Sequence, residues 1–184
     1  MKPKIISEEI VFEGPSVKVH MAKVEFSNGN IAMWDHAHGG DVVVMFPIDK
    51  DNNVYLVKEW RIAWKDFVLQ IPAGGCDAQD EKGKLAQVHN ELREEIGMDS
   101  KKIEHLITCM LAARTGAKIN IYLARDLYPS EKSPDPDEFL EVIKMPFNEA
   151  YEMFISGKVP TTTYTLLAFM MVKQKLTLSS KVAL

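Results

Sequence analysis

Cysteine is scarce in this chain. Cys76 and Cys109 are its only two in 184 residues, too few for a disulfide framework, and neither stands at a zinc-site spacing from histidine. Both are expected to be reduced thiols. Long apolar runs are also missing. The longest, Val42 to Phe46 and Leu166 to Val172, fall well short of the roughly 20 residues that a membrane span requires. The first nine residues, Met1 to Glu9, lack the apolar core of a secretory signal, so the expected location is the cytoplasm. There is no excess of basic residues. A formal net charge of -4 argues against general nucleic-acid binding, since a phosphate backbone demands a positive surface, and an anionic substrate would need locally placed cations. No internal repeat and no low-complexity tract occurs. What remains is ordinary globular composition, 46% hydrophobic and 26% charged, enough for a sizeable core within one domain, with room for a small N-terminal subdomain.

Periodicity divides the chain further. Residues 10 to 34 alternate between apolar and polar, with Ser27-Asn28-Gly29-Asn30 as a hairpin turn, which predicts a small antiparallel N-terminal sheet. After His36-Ala37-His38-Gly39-Gly40, the apolar run 42 to 48 and the run 54 to 57 read as buried strands joined by a polar turn. Residues 67 to 71 form another strand, stopped by Pro72. A helix is predicted from about Lys84 to Ile96, closed by Gly97 in a left-handed cap. Strands follow at 103 to 110, 118 to 124 and 139 to 145. Helices are predicted at 148 to 156, closed by Gly157, and at 166 to 176, capped from Thr161-Thr162-Thr163. The polar, proline-bearing stretch 127 to 137 is long enough to hang over a site. His20, His36, His38, His89 and His105 share no spacing and are read as structural. Met170 and Met171 are read as core packing.

Chemistry concentrates in Glu91-Leu92-Arg93-Glu94-Glu95-Ile96-Gly97. At roughly 100° per residue, Glu91, Glu94 and Glu95 fall within an arc of about 100°, beside the apolar stripe of Leu85, Val88, Leu92 and Ile96. Like charges so close repel unless something positive lies between them. An all-oxygen, highly charged ligand set suits a hard divalent cation such as magnesium, which commonly also holds a substrate's phosphates. The bland alternative is a solvated acidic helix face.

These residues resemble the signature of the Nudix hydrolases, and within that family the chain is most similar to ADP-ribose pyrophosphatases and other nucleoside-diphosphate-sugar hydrolases. The resemblance runs through Gly39-Gly40, Val57-Lys58-Glu59-Trp60-Arg61, Ile71-Pro72-Ala73-Gly74, Arg114-Thr115-Gly116, the stretch Ile121 to Leu127, and Asp137 to Val142. Two departures stand out. Asn90 occupies the place of the signature arginine, for which Arg93 is a poor substitute, and the count from Gly74 to Glu91 is two residues too long. Asp80 or Glu81 can replace the first signature glutamate.

The resemblance implies an α/β/α sandwich with a mixed sheet (residues 39 to 184) and a small antiparallel N-terminal β-subdomain (residues 1 to 38). That subdomain would serve dimerisation and the base pocket. The implied activity is hydrolysis of nucleotide sugars, with ADP-ribose favoured and GDP-mannose possible, to a nucleoside monophosphate and a sugar phosphate. The implied cofactor is Mg2+, with Mn2+ as a substitute, held by Glu91, Glu94, Glu95 and the backbone carbonyl of Ala73. Glu138 is the implied base, with Glu94 its competitor and Asp135, Asp137 and Glu141 weaker candidates. Arg61 is the candidate phosphate ligand, and Trp60 and Trp64 are candidates for stacking on a base. Gly74 and Arg114 complete the binding set. The implied assembly is a homodimer acting on a small molecule, with no nucleic acid and no membrane. Two rivals stand beside this reading: a Nudix-fold module that binds nucleotide sugars without cleaving them, and a house-cleaning nucleoside-triphosphate hydrolase.

Overall fold

The structure is a computed structural model that describes residues 2–130, 132 and 140–182. In chain order its elements are β1 (Lys4–Glu13), β2 (Lys18–Glu25), β3 (Ile31–His38), β4 (Asp41–Pro47), β5 (Asn53–Arg61), β6 (Asp66–Gln70), β7 (Ala73–Cys76), α1 (Glu81–Ile96), β8 (Met98–Met110), β9 (Lys118–Pro129), β10 (Leu140–Pro146), α2 (Phe147–Ile155) and α3 (Thr163–Val182). They form three sheets, ordered β1-β2-β3, β10-β5-β6 and β7-β4-β9-β8. Two compact units result: residues 1–42 with 108–119, and residues 43–107 with 120–184.

In the first unit, β1, β2 and β3 make an antiparallel meander. The β2 to β3 turn falls at the predicted 27 to 30 segment, where Gly29 takes a φ of 83°, the left-handed conformation that glycine adopts without a Cβ clash. Alternation does not translate into one buried face here. All ten residues of β1 are exposed, while Ala22 and Val24 of β2 are buried. A central strand has neighbours on both edges, whereas β1 is an edge. The 108–119 segment joins this unit through Ala37, whose N–H donates to the Arg114 carbonyl at 2.9 Å and whose own carbonyl accepts from Gly116 N–H at 3.0 Å.

The second unit contains the α/β/α layering. β4 is buried on both sides, which is why it reads as a continuous apolar run rather than an alternating one. Val43 and Met45 face Val88, Leu92 and Ile96 of α1 in a cluster with Val57, Cys76 and Tyr122. Phe46 points to the opposite side, packing edge-on against Phe147 of α2 at 6.0 Å and Phe169 of α3 at 4.8 Å. Strand period two thus splits one hydrophobic run between two helical layers.

Several boundaries differ from the sequence expectation. α1 starts at Glu81 rather than near Lys84, because the Asp80 carboxylate caps it by accepting from Gly83 N–H at 3.0 Å. Gly97 closes it with a φ of 66°, as expected. Residues 127 to 129, expected to begin a loop, instead continue β9, and β7 was not anticipated at all. Four residues with two glycines carry no periodic signal. Thr162 caps the start of α3, its Oγ1 accepting from Thr165 N–H at 3.4 Å. No helix among the described residues is long and apolar enough to cross a membrane.

Candidate active site

The site is built where β7 meets α1. Leu92 and Ile96 anchor the apolar stripe of α1 in the core, and this fixes the rotation of the helix so that Glu91 and Glu95, one turn apart, lie against the turn entering β7. Both are buried, 8% and 7% exposed. A carboxylate is costly to bury without compensation, so two on one helix face point to a function rather than to a solvated acidic surface.

Each is held individually. Glu95 Oε1 accepts from the backbone N–H of Ala73 at 3.2 Å. Glu91 Oε1 accepts from Gln87 Nε2 at 2.6 Å. The Glu91 carboxyl packs directly on Gly74, where an added Cβ would sit 2.0 Å from its carboxyl carbon. Glycine is required at that position by space rather than by backbone conformation. Glu94, less buried, is ion-paired to Lys132. Glu91 and Glu95 therefore lie against the Ala73–Gly74 turn, while the contact described for Glu94 is its pair with Lys132.

Arg61, at the end of β5, is more constrained than a free surface cation. Its Nη2 lies 2.7 Å from Glu59 and donates to Tyr164 Oη at 3.4 Å, while its Nε is buried without a hydrogen-bond partner among the described residues. Glu59 in turn accepts from Gln70 Nε2 at 2.9 Å. Burial raises the Glu59 carboxyl above its ordinary value, against the opposing pull of Arg61. Burial likewise raises Tyr164, with Arg61 pulling the other way and Glu59 and Glu95 adding to the rise.

Trp60 and Trp64 are exposed, Trp60 resting edge-on against Phe67 at 5.5 Å. Arg114 belongs to the first unit, its guanidinium 2.6 Å from Asp35. Glu138, Asp135 and Asp137 lie outside the described residues. Glu141, on β10, meets Lys58 at 3.4 Å.

The open choice between Asp80 and Glu81 resolves into different tasks. Asp80 is the helix cap, whereas Glu81 accepts from Tyr122 Oη at 3.0 Å, an interaction that together with burial raises the Tyr122 hydroxyl well above its usual range. Arg93 does not project away from the substituted position. It folds back one turn, Nη2 donating to Asn90 Oδ1 at 2.6 Å and Nε to the His89 carbonyl at 2.9 Å. The sequence reading of Arg93 as a poor substitute left out that residues three apart are neighbours on one helix face, which is how its guanidinium meets Asn90.

A glycine turn packed on a helix that buries two glutamates, inside an α/β/α sandwich, defines the Nudix class of fold. No protein-family model matches the chain. Among individual proteins it is 25% identical to an ADP-ribose pyrophosphatase of Bacillus subtilis over 86% of each chain. It is 27% identical to an ADP compounds hydrolase, NudE, of Escherichia coli, over 79% of this chain and 78% of that one. A methanol dehydrogenase activator of Bacillus methanolicus is 29% identical over 81% of each. A crystal structure of an ADP compounds hydrolase superposes with a TM-score of 0.84 at 23% identity, covering 96% of this chain and 95% of that one, which bears on the fold. Over most of its length the chain is thus similar to Nudix hydrolases that act on ADP-ribose and related ADP compounds, and it shares their fold.

Proposed function

We propose that this chain hydrolyses the pyrophosphate bond of nucleoside-diphosphate sugars, with ADP-ribose the favoured substrate, releasing a nucleoside monophosphate and a sugar phosphate. The observation that carries this reading is the pair of buried carboxylates, Glu91 and Glu95, set against the Gly74 turn. That cradle, which a Cβ would fill, fits a hard divalent cation by its all-oxygen donors. Magnesium is the proposed ion and manganese its substitute. Glu91, Glu94, Glu95 and the Ala73 carbonyl would hold it, and when bound it supplies positive charge to the phosphoryl oxygens.

The protein's own groups position the rest. The Ala73 N–H orients Glu95, and Gln87 orients Glu91. Glu59 and Tyr164 hold Arg61 at one end, which gives its planar fork the fixed direction that paired hydrogen bonds to phosphate need. Glu138 is the proposed base for the attacking water. Its competitor Glu94 is already engaged by Lys132, so acting as base would require that ion pair to open. The apolar side chains exposed on the N-terminal sheet, Phe12, Ile31, Met33 and Trp34 among them, support a homodimer that covers them.

A panel of nucleotide sugars and nucleoside triphosphates, assayed with magnesium or manganese, tests the proposal. ADP-ribose or another nucleotide sugar should yield AMP or its counterpart plus a sugar phosphate. Binding of ADP-ribose with no turnover of any compound would establish a binding module instead, and preferential cleavage of triphosphates would establish a house-cleaning enzyme.

A further inference from the structure

Three side chains that sequence spacing left unconnected meet on the N-terminal sheet, one from each strand. His20 of β2 and His36 of β3 are direct cross-strand partners, and their rings stack with centroids 4.8 Å apart and planes 17° from parallel. Glu8 of β1 reaches over both. Its Oε1 lies 2.5 Å from His36 Nε2 and 3.6 Å from His20 Nδ1, and one ligand atom from each of the three residues falls within 4.8 Å of the others. We propose that Glu8, His20 and His36 form a binding site for a zinc-type divalent cation, separate in its chemistry from the helix carboxylates.

Geometry and donor type both support this. Zinc bonds of about 2.0 Å at a tetrahedral centre put neighbouring ligand atoms about 3.3 Å apart, so the site closes on an ion with movements on the order of 1 Å. Side-chain rotation supplies them, because Glu8 is exposed and both histidines are only partly covered. Two imidazoles with one carboxylate give three protein ligands and leave a fourth position to water. That set favours zinc and its late first-row neighbours over magnesium, which prefers oxygen alone. Coordination asks only for a change of tautomer: His36 binds as neutral imidazole with its proton on Nδ1, exchanged there through solvent, and the cation takes the place of the hydrogen between Nε2 and the Glu8 oxygen. One ion would then tie together all three strands of a sheet whose β1 has no buried residue. Stapling three strands raises the stability of the N-terminal sheet.

The test uses the full-length protein, stripped with a chelator, held in excess magnesium and titrated with zinc by calorimetry and with cobalt(II) by visible absorption. Wild type should bind one more zinc equivalent than the His20→Gln/His36→Gln double variant. It should also give the intense absorption of nitrogen-ligated tetrahedral cobalt, absent from the variant, and a zinc-dependent rise in melting temperature that the variant loses. Equal zinc stoichiometry and identical cobalt spectra in a variant that folds, as judged by circular dichroism, overturn the proposal. Should the double variant fail to fold, Glu8→Gln replaces one exposed oxygen donor with an amide, and unchanged zinc affinity in that protein overturns the proposal equally.

Discussion

Replacing Gly74 with alanine should damage the reaction while sparing the fold, and the structure sets the size of the effect. An added Cβ would lie 2.0 Å from both the carboxyl carbon and Oε1 of Glu91, and 2.5 Å from Oε2. Because the obstacle is the end of a flexible side chain, the carboxylate rather than the backbone yields, and it must retreat by about 1 Å or more to reach even a tight contact. The 2.6 Å hydrogen bond from Gln87 would be lost or redirected in the process. Misplacing a group in a reaction site by about 1 Å costs roughly a hundredfold in rate, or about 2.7 kcal/mol of transition-state stabilisation. Stability should change little, since Gly74 has no left-handed backbone angle to forbid alanine, and restricting the unfolded chain contributes about 0.4–1 kcal/mol in its favour. Steady-state turnover of ADP-ribose, measured against magnesium concentration and paired with thermal melts, separates the two effects. Gly75→Ala is the control, because a Cβ there meets nothing within 4 Å. If Gly74→Ala turned over within about threefold of wild type at the same magnesium midpoint, the Glu91 carboxylate would have no part in the chemistry.

Glu95→Gln keeps an oxygen to accept the Ala73 N–H but removes a negative charge, so turnover should fall by about 10²- to 10³-fold with an unchanged melt, and near-normal activity would take Glu95 out of the metal site. Glu138→Gln should lower kcat more than binding, and an unaltered rate would move the base elsewhere. Arg61→Lys keeps the charge and loses the fork, so KM should rise about tenfold with a smaller change in kcat, whereas an unchanged KM would confine Arg61 to its pair with Glu59. Asp49 is lowered from 3.8 to about 2: burial would raise it, but Lys144 and the Asn53 and Asp51 amides outweigh that. A folded-state value below the unfolded one means stability that is complete above about pH 4 and lost as pH falls toward 2, worth at most about 2 kcal/mol. Urea midpoints measured across that window should fall less steeply for Asp49→Asn than for wild type, and parallel curves would refute the assignment.

Much of the second unit was legible because its signals are local or periodic. Residues 42 to 47 of β4 are apolar without a break, as suits a strand between two helical layers, and Gly97 marks the end of α1 through a conformation that glycine adopts cheaply. Grouping of Glu91, Glu94 and Glu95 follows from helical pitch alone. The start of α1 was missed because Asp80 acts by a single hydrogen bond three residues ahead, outside any hydrophobic pattern. Arg93 was misjudged for a different reason. Asn90 and Arg93 are three residues apart and so neighbours on one helix face, and helical pitch itself permits their contact.

The sequence alone determined that a helix would present three carboxylates beside an apolar stripe, following a glycine turn, because covalent spacing and helical pitch are properties of the chain itself. Only the tertiary structure decided that Glu91 presses on Gly74, that Arg61 is held by Glu59 and Tyr164, and that Glu8, His20 and His36 share one corner of a sheet. Those contacts depend on strand register and on which way a packed helix is turned. Helix rotation is set by burial of residues far away in the chain; the hairpin turn at 27 to 30 does fix the His20–His36 register, but no sequence spacing foretells the irregularities of β1 that bring Glu8 over them.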